Sequence, residues 1–240
     1  LEIKNRSLFI HVDVCGQEDG AEDAQEVFPT IQQIGEEVIR DVLDELSVPL
    51  VVGVGEGAGA NILARFALAH PSRVLGLVLV HLVSAEVGFL DQLKDRFFHR
   101  RNSQQMSPLD VVALHKASIG KDSTDETSRA LLEAYRARVQ TLNARNLQKY
   151  VTAYMNRKVI SDLAEVDVLL VAGARSPYCA GVEAIYSKCN KTKTSLLKVD
   201  DVRDVMSESA DKLAQSLLLF VKGLGFLTSC PAVDGEYSRS

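Results

Sequence analysis

Residues 51–80, VVGVGEGAGANILARFALAHPSRVLGLVLV, limit the possible folds more than any other part of the chain. Residues 49–54 form a short, nearly continuous apolar run, the pattern of a strand buried on both faces. Small residues then carry a helix over residues 60–69, and it stops at His70-Pro71 because a residue before proline is driven out of the helical region. Residues 74–83 are again almost wholly apolar and read as the next strand. Two such strands separated by one helix lie parallel, since the crossover returns the chain in the same direction.

The alternation continues on both sides, so the expected class is α/β, a mostly parallel sheet with helices on both faces. Residues 7–14 (SLFIHVDV) read as a first strand, followed by an exposed acidic loop. Ile31, Ile34, Val38, Val42 and Leu46 place one apolar stripe on a helix over residues 31–46. Residues 84–162 look purely helical and more polar than their flanks. Helix starts are signalled at residues 107–110 and 123–126, and Leu131, Tyr135, Val139 and Leu142, then Leu147, Val151 and Tyr154, mark two apolar stripes. Strand signals resume at residues 166–172 and 195–199, and a last helix covers residues 207–224. With 240 residues and 46% apolar content a single full core is available. The expected layout is one domain over residues 1–225, a helical cap-type insertion at residues 84–162, and a disordered tail over residues 226–240.

Composition narrows the function classes. Lys and Arg number 27 against 32 Asp and Glu, with no block of like charge, which argues against a nucleic-acid partner. The cysteines Cys15, Cys179, Cys189 and Cys230 are scattered without a C-x-x-C pair, so no metal site, no cofactor and no disulfide framework is expected. A reducing, cytoplasmic setting fits. No apolar run is long enough to cross a bilayer, and the first residues lack a secretory core.

The glycine run after residue 54 has three readings. Gly55, Gly57 and Ala60 satisfy the G-x-G-x-x-A dinucleotide pattern, but the following strand ends in His81-Leu82-Val83-Ser84 without the acid that would bind a ribose. A tight turn whose glycines only permit close packing is the second. The third is the G-x-S-x-G turn of a nucleophile elbow. The small-residue helix ending in Ala69-His70-Pro71, followed by Val74-Leu75-Gly76-Leu77-Val78-Leu79, resembles the helix and strand after the elbow of α/β hydrolases. That resemblance puts the elbow at Gly55-Glu56-Gly57-Ala58-Gly59 and gives the nucleophile's position to Gly57, which has no side chain to attack a carbonyl.

Several separate segments resemble one family more closely, the N-myc downstream-regulated (NDRG) proteins. His11-Val12-Asp13 with Gly16, Gly20 and Ala21 is similar to that family's VHVDAPG segment, and Gly53-Val54-Gly55 with Gly57-Ala58-Gly59-Ala60 to its glycine run. Tyr154-Met155-Asn156-Arg157-Lys158 and Phe220-Val221-Lys222-Gly223-Leu224-Gly225 are similar to two further stretches, while Gly173-Ala174 departs from the usual Gly-Asp step. The resemblance implies an α/β-hydrolase-like fold with a small helical cap, no hydrolase activity, cytoplasmic signalling in stress and differentiation, and phosphorylation in the tail. It also places the first strands of the fold upstream of Leu1, so a longer native protein is expected.

The catalytic triad of α/β hydrolases runs serine, acid, histidine along the chain. The histidines here are His11, His70, His81, His99 and His115, none in the last half. Spacing from the final helix puts the histidine position near Arg203, which cannot act as a base, and the acid position near Ser176. All three vestigial positions, Gly57, Ser176 and Arg203, therefore lack the reagent. The expected role is an interaction or adaptor protein with protein partners. A hydrolase with an unconventional site and a receptor using the vestigial pocket are the alternatives.

Other residues carry a chemical and a structural reading side by side. His11 and Asp13 lie on one side of the expected strand, as a relay or half a metal site or as a structural pair. Cys179 is either a reactive thiol or a packed one. Glu18, Asp19, Glu22 and Asp23 are either a surface for a basic partner or a solvated loop. Residues 95–101 (DRFFHRR) are either a weak membrane-surface contact or a cap helix with buried phenylalanines.

Overall fold

A computed structural model describes residues 2–24, 26–84, 126–163 and 165–228. A short helix α1 (Glu2–Arg6) leads into irregular chain, and α2 (Ile31–Gln33) continues through a π-helical turn (Ile34–Val38) into α3 (Ile39–Glu45). Thr30 starts this helix with a capping box: its hydroxyl accepts from the Gln33 amide, while the Gln33 side chain accepts from the Thr30 amide, both at 3.1 Å. Then follow β1 (Val51–Glu56), α4 (Ala58–Ala69), β2 (Val74–Val80), α5 (Glu126–Thr141) and α6 (Ala144–Met155). The chain closes with β3 (Val168–Gly173), α7 (Cys179–Lys188), β4 (Thr194–Val199), α8 (Val205–Glu208) and α9 (Ala210–Gly223).

The four strands form one parallel sheet in the order β1-β2-β3-β4. Alternation along the strands divides the core in two. Leu77 and Leu79 of β2 and Val168, Leu170 and Ala172 of β3 face a cluster with Ile31, Ile34, Phe66, Val182 and Ile185, so α2–α4 and α7 cover that side. Val78, Val80, Leu169 and Val171 face the other way, against Val205 of α8 and Leu213, Leu217 and Phe220 of α9. The expected parallel sheet with helices on both faces is present, and α5 and α6 lie where residues 126–155 show their two apolar stripes.

Four expectations need correction. Residues 7–14 form no strand: they are irregular and largely exposed, Leu8 at 85%, because no described segment offers them a backbone to pair with and β propensity alone does not make a strand. His11 and Asp13 accordingly sit exposed on irregular chain. β1 is the outer strand of the described sheet, so Val54 and Leu50 are exposed although their run reads as buried on both faces. The last helix is two, because Asp204 caps α8 and the chain breaks at Ser209 before α9. The signals at residues 95–101 and 107–110 and nearly all of the tail lie outside the described residues.

The helical insertion joins the sheet at a closed neck. Ser84 Oγ donates to the Ile160 carbonyl and accepts from the Ile160 amide, each at 3.1 Å. Arg157, 7% exposed, donates to the Val83 carbonyl at 3.2 Å and to the Tyr154 carbonyl at 2.8 Å, with its guanidinium 3.9 Å from the Tyr154 ring centre. Its charge also lies at the C-terminal end of α6, where a helix favours cations.

Candidate functional site

The C-terminal ends of the parallel strands gather the candidate residues, the edge at which open α/β sheets bind ligands. Gly57 links β1 to α4 with φ 53° and ψ −106°, a conformation that a residue with a Cβ adopts only at a cost. Its amide donates to the Val80 carbonyl at 2.9 Å, and its carbonyl accepts from the Asn61 amide at 3.1 Å and the Asn61 side chain at 3.2 Å. Buried Asn61 also donates to the Val83 carbonyl at 3.2 Å, tying the turn to the end of β2. A Cβ on Gly55 would stand 2.7 Å from the Gly59 backbone, so the strand end and the first helical turn touch only because residue 55 is glycine. This is a strained strand-to-helix turn, and position 57 contributes backbone alone.

Beside the turn lies a pair that sequence reasoning missed. His81, one residue past β2, is 3% exposed and left-handed at φ 52°. Its Nδ1 is 3.4 Å from Glu56 Oε1, and its Nε2 accepts from the Gly173 amide at 3.4 Å. Because an amide can only donate, Nε2 is the acceptor and the Nδ1 proton points at Glu56. One imidazole thus bridges the ends of β1 and β3. The Tyr178 ring packs against it, centres 5.7 Å apart. Burial, then the neighbouring Tyr154 and Glu56, push the Tyr178 phenol far above its ordinary range. Burial, then Glu56 and Asp204, push Tyr135 up to about 12. Both phenols stay protonated at neutral pH.

Ser176 and Arg203, the residues that sequence spacing assigns to the acid and histidine positions, do local structural work. Ser176 is buried, and its hydroxyl accepts from the Tyr178 amide at 3.2 Å while its own amide donates to the Gly173 carbonyl at 3.0 Å. The Arg203 amide donates to Glu208 at 3.3 Å, and neighbouring Asp204, buried, caps α8 by accepting from the Met206 amide at 3.0 Å. Cys179 is buried, and that burial raises its thiol above the ordinary range. Among the described residues no group of three or more His, Cys, Asp or Glu could hold a metal ion. Glu56 and His81 could have been found by tabulating the residues at the ends of adjacent parallel strands, which converge in space whatever their separation in sequence.

Residues 1–228 match the family model described as the Ndr family. The chain belongs to the NDRG family. It is 33% identical to NDRG1 of Xenopus tropicalis over 253 residues, covering all of this chain and 62% of that protein. It is 29% identical to mouse NDRG2 with 69% of that protein covered, and 39% identical to an uncharacterised Caenorhabditis elegans protein with 73% covered. The chain thus spans about six-tenths of NDRG1. Among solved structures, an esterase from Exiguobacterium antarcticum superposes with TM-score 0.68 at 16% identity, covering 92% of this chain and 85% of that one. A thermophilic esterase from Thermogutta terrifontis gives 0.69 at 13% identity, covering 88% and 78%. At such identities the likeness fixes the fold, which is that of the α/β hydrolases. Among the described residues no helix is long and apolar enough to cross a membrane.

Proposed function

We propose that this NDRG-family protein works without hydrolytic chemistry, as an intracellular signalling or adaptor protein with protein partners, in the stress and differentiation roles its family resemblance implies. The observation that supports this most is Gly57: an elbow turn is kept in its strained geometry, yet carries no hydroxyl or thiol to form an acyl-enzyme. Neither Ser176 nor Arg203 offers the acid and base a triad needs, and a cytoplasmic location and tail phosphorylation belong to the same reading. Cytosolic pull-down with purified protein tests it when run beside a thermal-shift screen of small metabolites. The adaptor reading expects a saturable protein partner and no metabolite that raises Tm.

A second reading, a small-molecule receptor or an enzyme with an unconventional site, is favoured by Glu56, His81, Tyr135 and Tyr178 standing at the ligand-binding edge of the sheet. A metabolite that raises Tm in the wild type but not in Glu56→Gln would favour it.

A further inference from the structure

Residues 16–24 form a strap laid across the junction of α5 and α6, fastened in two ways. Its ends are held by buried Asn146, whose Oδ1 accepts from the Ala24 amide at 2.7 Å and whose Nδ2 donates to the Gly16 and Glu22 carbonyls at 3.0 and 2.8 Å. Its tip is held by exposed charge. Asp23 pairs with Arg145 at 2.6 Å and accepts from Asn143 at 3.0 Å, while Asp19 pairs with Arg138. The hydroxyl of Thr141, the exposed last residue of α5, stands 2.6 Å from the Asp19 carboxylate and 2.8 Å from the Arg138 carbonyl, which share its one proton, and accepts from the Arg138 guanidinium at 2.9 Å. That hydroxyl bond is the main reason the Asp19 carboxyl lies below its ordinary range. Asp19 is thus held by one guanidinium and by a hydroxyl proton that the Arg138 carbonyl shares.

We propose that Thr141 is a phosphorylation site that releases the tip of this strap, an inference independent of the adaptor reading. A protein kinase would transfer the γ-phosphoryl group of ATP to Thr141 Oγ1, forming the P–O bond as the bond to ADP breaks and the hydroxyl proton passes to the kinase base. The proton that Asp19 accepts is then gone. A group of about −1.5 to −2 charge faces the carboxylate and competes for Arg138. It also stands at the C-terminal end of α5, where the helix disfavours an anion. All three changes act against Asp19, and none reaches the Asn146 anchor. In the sequence, arginines stand five and three positions before Thr141 (RARVQT, residues 136–141), the spacing that basic-directed kinases read.

The test treats the purified protein with a basic-directed Ser/Thr kinase and ATP, locates phosphate by mass spectrometry, and follows hydrogen exchange over residues 16–24. Expected are phosphate on Thr141 and at least fivefold faster exchange at residues 18–21, with Ala24 changed less than twofold. Thr141→Glu should move exchange the same way to a smaller extent. Asp19→Asn should loosen the tip by itself and leave phosphorylation less than a twofold further effect. Labelling of a peptide of residues 132–145 but not of the folded protein would overturn the proposal. So would unchanged or slower exchange in the phosphorylated chain, which would mean the phosphate fastens the strap through Arg138 and Arg145.

Discussion

His81 and Glu56, 25 residues apart in sequence, meet at 3.4 Å where β1 and β2 end, and the same imidazole accepts the Gly173 amide from β3. Its left-handed backbone is unusual for a residue with a Cβ, and the hydrogen bonds on both ring nitrogens hold it there. His81→Leu should cost about 1 to 3 kcal/mol, because it strands the buried Gly173 amide and keeps the backbone strain. His81→Asn, which tolerates a positive φ and retains an acceptor, should cost less than half as much. Urea midpoints with unchanged slopes check both.

At the elbow itself, Gly57→Val places a β-branched side chain at φ 53° and should destabilise the fold by about 1 to 3 kcal/mol. Gly57→Ser, a smaller residue, should fold with a lesser loss. A valine variant as stable as the wild type in urea would mean that the turn relaxes.

Arg157→Met should cost about 1 to 3 kcal/mol, since it removes the charged donor to the Val83 and Tyr154 carbonyls, although Asn61 still binds the first and backbone amides the second. Thermal melts would show a lowered Tm. Limited proteolysis should show cleavage rising near residues 84 and 160, the two sides of the neck.

Tyr135 and Tyr150, both raised to about 12 by burial, should titrate later than an exposed phenol near 10 when absorbance at 295 nm is followed. Because the folded values lie above the unfolded one, their stabilisation is complete below pH 10. It is lost as pH rises towards 12. Stability should therefore fall steeply over that interval, and Tyr150→Phe should make the fall shallower. An equal slope in wild type and variant would assign the loss to other groups.

Asn146→Ala removes three hydrogen bonds from a buried side chain and should cost about 2 to 4 kcal/mol, loosening residues 16–24 at both ends. Salt should reproduce only part of this. The Asp19 and Asp23 pairs at the tip are exposed and screened, whereas the Asn146 bonds are buried. Hydrogen exchange at low and high salt separates the two.

Much of this architecture was legible in the sequence because burial on both faces writes itself into parallel strands as unbroken apolar runs. β2 and β3 appear within a few residues of where Val74–Val80 and Val168–Gly173 lie. Gly57 was legible because a strained turn leaves only glycine-rich solutions. Other features depend on contacts that sequence spacing does not record. Residues 7–14 have the composition of a strand but no partner among the described residues, and Asp19 and Asp23 look like a solvated loop until Arg138 and Arg145 meet them from more than a hundred positions away. α7 went unnoticed because it is short and buries only Cys179, Val182 and Ile185, too brief a stripe to stand out from its neighbours. His81 was judged by its distance from the end of the chain, whereas its place at the end of β2 decides what it touches.

The most direct measurement is hydrolysis of a generic acyl ester, p-nitrophenyl acetate, by purified protein against a matched blank, for the wild type and Gly57→Ser. The proposed reading predicts no turnover above the blank for either, because position 57 of the wild type carries no nucleophile and an introduced serine would meet arginine where that reading puts the histidine. Wild-type turnover that a serine-directed reagent abolishes, or Gly57→Ser activity well above the blank, would contradict it.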